Sequence, residues 1–239
     1  MKKSNSKFTD ILLFENDDYM VVSKPFNLSS LEDRHEGESL LEMALGYNEN
    51  AQLCHRLDKN TTGALVIAKN PEAYRHMAIQ LERRTADKIY HAVVQGRHEL
   101  EGIKIEVPLH VPNKGRVKAD FNTGKPSETL VRTAATYRFH TLLECKPKTG
   151  RMHQIRAHLA HIKAPIVNDG LYGGRPLYLS EIKQKFNLKQ DTEERPLIAR
   201  FALHAYSIHF EGLDGKMIDV IAPYPKDFRA LVNQLEKNS

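Results

Sequence analysis

The sequence predicts an α+β fold with a central, mainly antiparallel mixed sheet flanked by helices and loops. Strand-like segments outnumber helical ones, and several strands follow one another without an intervening helix. No Pro/Gly/Ser-rich linker divides the 239 residues, so residues 1–239 read as a single domain.

The elements follow in order. Ile11–Glu15 and Tyr19–Ser23 read as strands, joined by the turn residues Asn16-Asp17-Asp18. Lys24-Pro25 ends the second strand, and the polar stretch Ser29–Gly37 reads as a loop. Ser39 suits the N-cap of a short helix through Leu45, closed by Gly46. Ala64–Lys69 is an apolar strand. Asn70-Pro71 then supplies an N-cap and a first-turn proline for a helix reaching about Arg84. Tyr74, Met77, Ala78 and Leu81 share one face of that helix by spacing. Lys88–Gln95 is a strand stopped by Gly96.

Pro108–Glu128, rich in Gly, Pro, Asn and Lys, reads as a long loop or loose hairpin. Leu130–Arg138 and Thr141–Lys146 read as strands. Met152–Ile162 reads as a helix with Met152, Ile155, Leu159 and Ile162 as its buried stripe, ended by Pro165. Gly173–Pro196 is charged and irregular, with one helical turn after Ser180. Ala202–Phe210 reads as a strand and Asp227–Glu236 as an amphipathic helix.

Composition narrows the classes of partner. Net charge is +5 and pI about 9.1, from 35 Lys+Arg against 30 Asp+Glu. That balance favours an anionic partner met by a folded basic surface, since no Lys/Arg block forms a tail. No apolar run approaches the ~20 residues of a membrane span, and no secretory leader is visible. Cys54 and Cys145 form neither a metal-type pair nor a disulfide framework, which points to a reducing, cytoplasmic setting.

The chemistry-bearing segment is Cys54-His55-Arg56-Leu57-Asp58-Lys59-Asn60-Thr61-Thr62-Gly63. A carboxylate in a turn at a strand mouth is a frequent site geometry. Arg56 and Lys59 are cations that favour its ionised form, as a nucleophile or base requires. The same residues also serve as a plain turn, with Asp58 accepting local backbone donors and Gly63 supplying positive φ.

HRLDKNTTG resembles the HRLD-x-x-T-S/T-G motif of the RluA-type pseudouridine synthases. Val21–Pro25 resembles the family's opening segment, and Lys88–Gly96 its K-x-Y-x-A-x-v-x-G strand. Thr149–Leu159 resembles its T-G-R-x-H-Q-I-R-x-H-L helix. Pro165–Gly173 and Leu203-His204-Ala205 follow as further signatures. These segments appear in family order across about residues 11–225. Ser23 departs from a frequent Asn, and Thr62 from the commoner Ser.

The resemblance implies a pseudouridine synthase acting on tRNA or ribosomal RNA, without cofactor or metal; the sequence is silent on oligomeric state, for which a monomer is the default. It implies two lobes around a basic cleft. The enzyme would break the bond between uracil N1 and ribose C1′ and rejoin the base through C5. Asp58 inherits the catalytic role, either by attack on the sugar or by removal of the C2′ proton. Tyr90 inherits stacking on the target base, and Arg156 pairing with the catalytic carboxylate. Arg56 inherits the space that a flipped nucleotide leaves. Lys24, Arg151 and His153 are assigned to phosphate contact or to bracing the cleft, and Ile155 joins the substrate-binding set. Base extrusion costs a few kcal/mol, so an RNA loop or bulge is the expected target.

Many relatives carry an N-terminal S4-type RNA-binding domain. About ten residues precede the first strand here, so RNA contacts are expected from the catalytic domain itself. Pro108–Glu128, with Lys114, Arg116, Lys118 and Lys125, and Gly173–Pro196 are candidate clamps. Three rival readings remain open at this level. A non-catalytic RNA-binding or ribosome-assembly protein on this fold should lack the motif Asp. A glycosidic hydrolase needs a second carboxylate, for which Asp169 is available although VNDG reads as a turn. A metal enzyme would use His153, His158 and His161, which lack evident Cys, Asp or Glu partners.

Overall fold

The computed structural model describes residues 7–32, 37–112, 115–187 and 193–239. Backbone contacts divide the chain into two compact units. The first comprises Met1–Lys88 with Ala205–Pro223, and the second Ile89–His204 with Tyr224–Ser239.

In chain order the elements are α1 (Phe8–Ile11), β1 (Leu12–Glu15), β2 (Tyr19–Lys24), α2 (Leu40–Tyr47), β3 (Gln52–Leu53), β4 (Thr62–Ala68) and α3 (Pro71–Arg83). Then come β5 (Asp87–Gln95), β6 (Ile103–Glu106), β7 (Leu109–His110), β8 (Lys118–Ala119), β9 (Glu128–Thr136) and β10 (His140–Pro147). They are followed by α4 (Gln154–His161), a 3₁₀ turn (Gly170–Tyr172), α5 (Leu179–Ile182), β11 (Leu203–Glu211), β12 (Met217–Ile221) and α6 (Lys226–Lys237). The architecture is α+β. Every strand pairing with a described register is antiparallel.

The first unit builds the strand order β1-β2-β4-β11, with β12 beside β11 and β3 beside β4. Every residue of β4 is buried. One face packs a cluster of Tyr19, Val21, Val66, Met77, Ile208 and Phe210. Asn16 Oδ1 accepts from the Asp18 and Tyr19 amides and closes the β1–β2 turn as its position suggests. Asn70 caps α3 by accepting from Ala73 N at 2.8 Å.

Two local expectations fail in this unit. Gly46 does not close α2, which runs on to Tyr47 with Asn48 as its C-cap. The buried face of α3 is Ala73, Met77 and Gln80, whereas Tyr74 is 40% exposed. The physical reason is Gln80. Its amide donates to Glu211 O at 2.8 Å and accepts from Glu211 N at 2.9 Å, so a polar residue belongs to the buried stripe.

The second unit builds β5-β10-β9-β6. Tyr90 pairs with Cys145, Cys145 with Val131, and Val131 with Ile103 across the sheet. The stretch 108–128 forms the small β7–β8 hairpin, of which residues 113–114 lie outside the described residues. Four residues of the expected loop at 29–37, positions 33–36, and residues 188–192 of the charged segment lie there too. α6 buries Phe228, Leu231, Val232 and Leu235, the amphipathic pattern the sequence predicts. Among the described residues, no helix is long and apolar enough to cross a membrane.

α4 starts later than expected. His153 adopts a left-handed conformation (φ 52°) and becomes the N-cap. Met152 therefore leaves the helix and is 41% exposed, while Gln154 through Leu159 are all buried. The helix is enclosed all round rather than amphipathic.

Candidate active site

Asp58 lies in the loop between β3 and β4, and hydrogen bonds within the first unit hold that loop's backbone. Ser30 Oγ donates to Leu57 O at 2.8 Å and accepts from Leu57 N at 3.1 Å. Thr61 N donates to Asp58 O at 2.9 Å, closing a turn. Cys54 N donates to Val66 O, and Val66 N donates to His55 Nε2 at 3.2 Å, which ties the motif's start to β4. That bond requires a neutral imidazole with its proton on Nδ1. Desolvation, with the Lys88 ammonium adding to it, pushes the His55 pKa down to about 3. Asp58 itself is half-buried and Arg56 exposed.

Lys24 is fully buried. Its ammonium donates to Pro25 O (3.1 Å), Leu28 O (2.8 Å) and Lys59 O (3.0 Å). Carbonyl oxygens there replace the water a buried ammonium would otherwise lose. The sequence offers Lys24 either phosphate contact or bracing; in the structure its side chain is shielded from solvent and its ammonium bonds these three carbonyls. Lys24 also pairs in register with Gly63. Gly63 has φ +112°, and a Cβ there would stand 2.1 Å from Ala205 O. The motif's glycine is thus required both by backbone conformation and by close strand approach.

The second unit carries Tyr90, Arg151, His153, Ile155 and Arg156. Tyr90 projects from β5 and is 9% exposed, so little of its ring is open to a base in this conformation. Ile155 is 6% exposed, as a packing residue would be. Arg151 is exposed, with Nε donating to Pro126 O at 3.3 Å.

Arg156 is 6% exposed and does not lie on a solvated helix face. Its Nε donates to Asp169 Oδ2 at 2.7 Å and its Nη2 to Asp169 Oδ1 at 2.8 Å. The Tyr172 and Phe201 rings stand 4.9 and 4.2 Å from its Cζ. The sequence reads Asp169 as a turn residue and holds it open as a hydrolytic second carboxylate. It does make the turn: Tyr172 N and Gly174 N both donate to its carbonyl. But both carboxylate oxygens accept from Arg156, which leaves this group poorly suited to general acid work.

Sequence reasoning missed two supporting residues. Tyr172 Oη accepts from Val117 N at 3.1 Å and is hydrogen-bonded to His153 Nδ1 at 3.1 Å, joining the β7–β8 hairpin to the start of α4. Gln154 bonds Thr149, Glu128 O and Thr129, which fixes the loop before α4. His158, considered as a metal ligand, is fully buried. Its Nδ1 meets Thr129 Oγ1 at 2.9 Å and its Nε2 meets Val107 O at 3.0 Å, so both ring nitrogens are used in packing.

A chain with this α+β fold and an HRLD turn of this kind belongs to a defined class of RNA-modifying isomerases. The family model described as RNA pseudouridylate synthase matches residues 18–161, and the chain belongs to that family: it is an RNA pseudouridine synthase. It is 34% identical over 234 residues to ribosomal large subunit pseudouridine synthase D of Haemophilus ducreyi, covering 94% of this chain and 70% of that protein. It is 32% identical over 235 residues to ribosomal large subunit pseudouridine synthase C of Buchnera aphidicola subsp. Schizaphis graminum, with the same two coverages. Among solved structures, human RNA pseudouridylate synthase domain containing 4 has the same fold. The TM-score is 0.70 at 21% identity, over 96% of this chain and 94% of that one.

Proposed function

We propose that this enzyme isomerises a uridine in large-subunit ribosomal RNA, with Asp58 as its catalytic residue. The observation that carries the catalytic assignment is the held turn. Ser30 holds both backbone polar groups of Leu57, and Lys24 holds the carbonyl of Lys59. The residue between them is therefore presented from a fixed backbone, as a reacting group must be. The choice of RNA rests on the relatives named for the large ribosomal subunit.

In the proposed reaction the N1–C1′ bond of the target breaks, the base turns, and C5 joins C1′, releasing the C5 hydrogen. Asp58 acts on the ribose, either forming a bond to C1′ or taking the C2′ proton. Tyr90 stacks on the base, and Arg156 is the cation for the catalytic carboxylate. Tyr90 has to gain accessible ring area when RNA binds, given its burial. Extruding the base favours a target in a loop or bulge. Arg116, Lys118 and Lys125 are exposed on the hairpin segment and supply phosphate contacts. Lys114 of that set lies outside the described residues. The protein works as a monomer.

The test is tritium release from 5-³H-uridine transcripts, comparing large-subunit ribosomal RNA domains with tRNA. Release from a ribosomal domain, stoichiometric with one site, is the expected result. Release confined to tRNA would overturn the choice of RNA while leaving the chemistry intact.

A further inference from the structure

We infer that Asp169 is a positioning residue for the reaction: its carboxylate fixes the direction in which the Arg156 guanidinium is offered. This deepens the reading above and rests on Arg156 serving the catalytic step.

The pair is desolvated. The Arg156 and Asp169 side chains are 7% and 1% exposed. A buried ion pair seldom outperforms an apolar pair for stability alone, so bulk stabilisation is a weak reason for it. Geometry gives a better one. Asp169 takes the Nε–Nη2 edge in a two-bond fork, which locks the guanidinium plane. The Tyr172 and Phe201 rings keep the same carbon from sliding. The donors of the opposite edge are then aimed in one direction.

Asp169 is itself held from several sides. Its amide donates to Ile166 O, and Gly174 N donates to its carbonyl. A Cβ on Gly174 would stand 1.8 Å from Ile166 O, so this close turn needs glycine. Val167 N donates to Val93 O, and Gln95 N donates to Pro165 O. The Asp169 turn is thereby anchored on β5, the strand that carries Tyr90. The two side chains assigned to base and carboxylate share one rigid support within this unit.

The experiment is single-turnover tritium release from a large-subunit ribosomal RNA transcript at saturating enzyme, with RNA Kd and melting temperature measured beside it. Asp169→Asn places an NH₂ against an arginine N–H and removes one leg of the fork. Displacement of a catalytic group by ~1 Å can cost about 100-fold, so a rate loss of about 10- to 100-fold is expected, with Kd within about threefold. Asp169→Glu keeps the charge and the buried pair but displaces the guanidinium, so its rate falls while the protein, destabilised by the extra methylene, stays folded at the assay temperature. Combining Asp169→Asn with Arg156→Lys is no slower than Arg156→Lys alone, because both act through one group. A wild-type rate in Asp169→Asn or in folded Asp169→Glu overturns the inference, as do effects that multiply in the double variant. Absence of release by the wild-type protein strikes the underlying reading instead, and this inference falls with it.

Discussion

Ser30 grips Leu57 from both sides, its hydroxyl donating to the carbonyl at 2.8 Å and accepting from the amide at 3.1 Å, one residue before Asp58. The contact reaches across 27 residues of sequence and is buried, so a side chain outside the motif sets the backbone of the motif's carboxylate.

Replacing Ser30 with alanine leaves two buried backbone groups of Leu57 without that partner. The expected cost is about 1–3 kcal/mol of stability. Turnover should fall more than RNA affinity, because the loop that presents Asp58 loosens. Urea unfolding and single-turnover tritium release on Ser30→Ala check both parts, and unchanged stability would show that the hydroxyl is dispensable.

Gly63→Ala should be severely destabilising. The substitution adds a Cβ at φ +112° and drives it to 2.1 Å from the Ala205 carbonyl oxygen. Backbone strain alone costs roughly 1–3 kcal/mol, before the β4–β11 contact is forced apart. A melting-temperature drop of several degrees or loss of soluble protein is expected. A variant that melts with the wild type would refute the close approach.

His55 gives a pH signature. Its folded pKa is pushed down to about 3, whereas an exposed histidine titrates near 6.5. Between those values the unfolded chain binds the extra proton, so folding stability is complete above about pH 6.5 and declines as pH falls. The slope from this group is ~1.4 kcal/mol per pH unit. His91, lowered to about 4 by burial, adds to the decline over much of the same window. Denaturant titrations between pH 4 and 8 on wild type and His55→Gln check this: the variant should show a shallower slope below pH 6.5.

Much of the fold is legible in the sequence, because Asn16, Ser39, Asn70 and Pro71 act locally and mark their elements. The unread parts depend on partners distant in sequence. Gln80 looks like a surface residue until Glu211, 131 positions away, is beside it. His153 has nothing in its neighbours to announce a left-handed cap, and Tyr172 supplies its partner. β12 has alternating burial but is short and edged by charge, and spacing alone passes over it. At the site, the motif names Asp58 and Arg156. Lys24 as a brace and Asp169 as the holder of Arg156 appear only once burial and distances are known, because a lysine before proline and an aspartate in a VNDG turn have simpler local explanations.

The central claim is that Asp58 performs the isomerisation, and Asp58→Asn tests it most directly. The substitution preserves shape and the backbone turn while removing the charge. Single-turnover tritium release from a ribosomal RNA transcript that the wild type modifies should fall to background, with RNA Kd and melting temperature close to wild type. Release at the wild-type rate by Asp58→Asn would contradict the account.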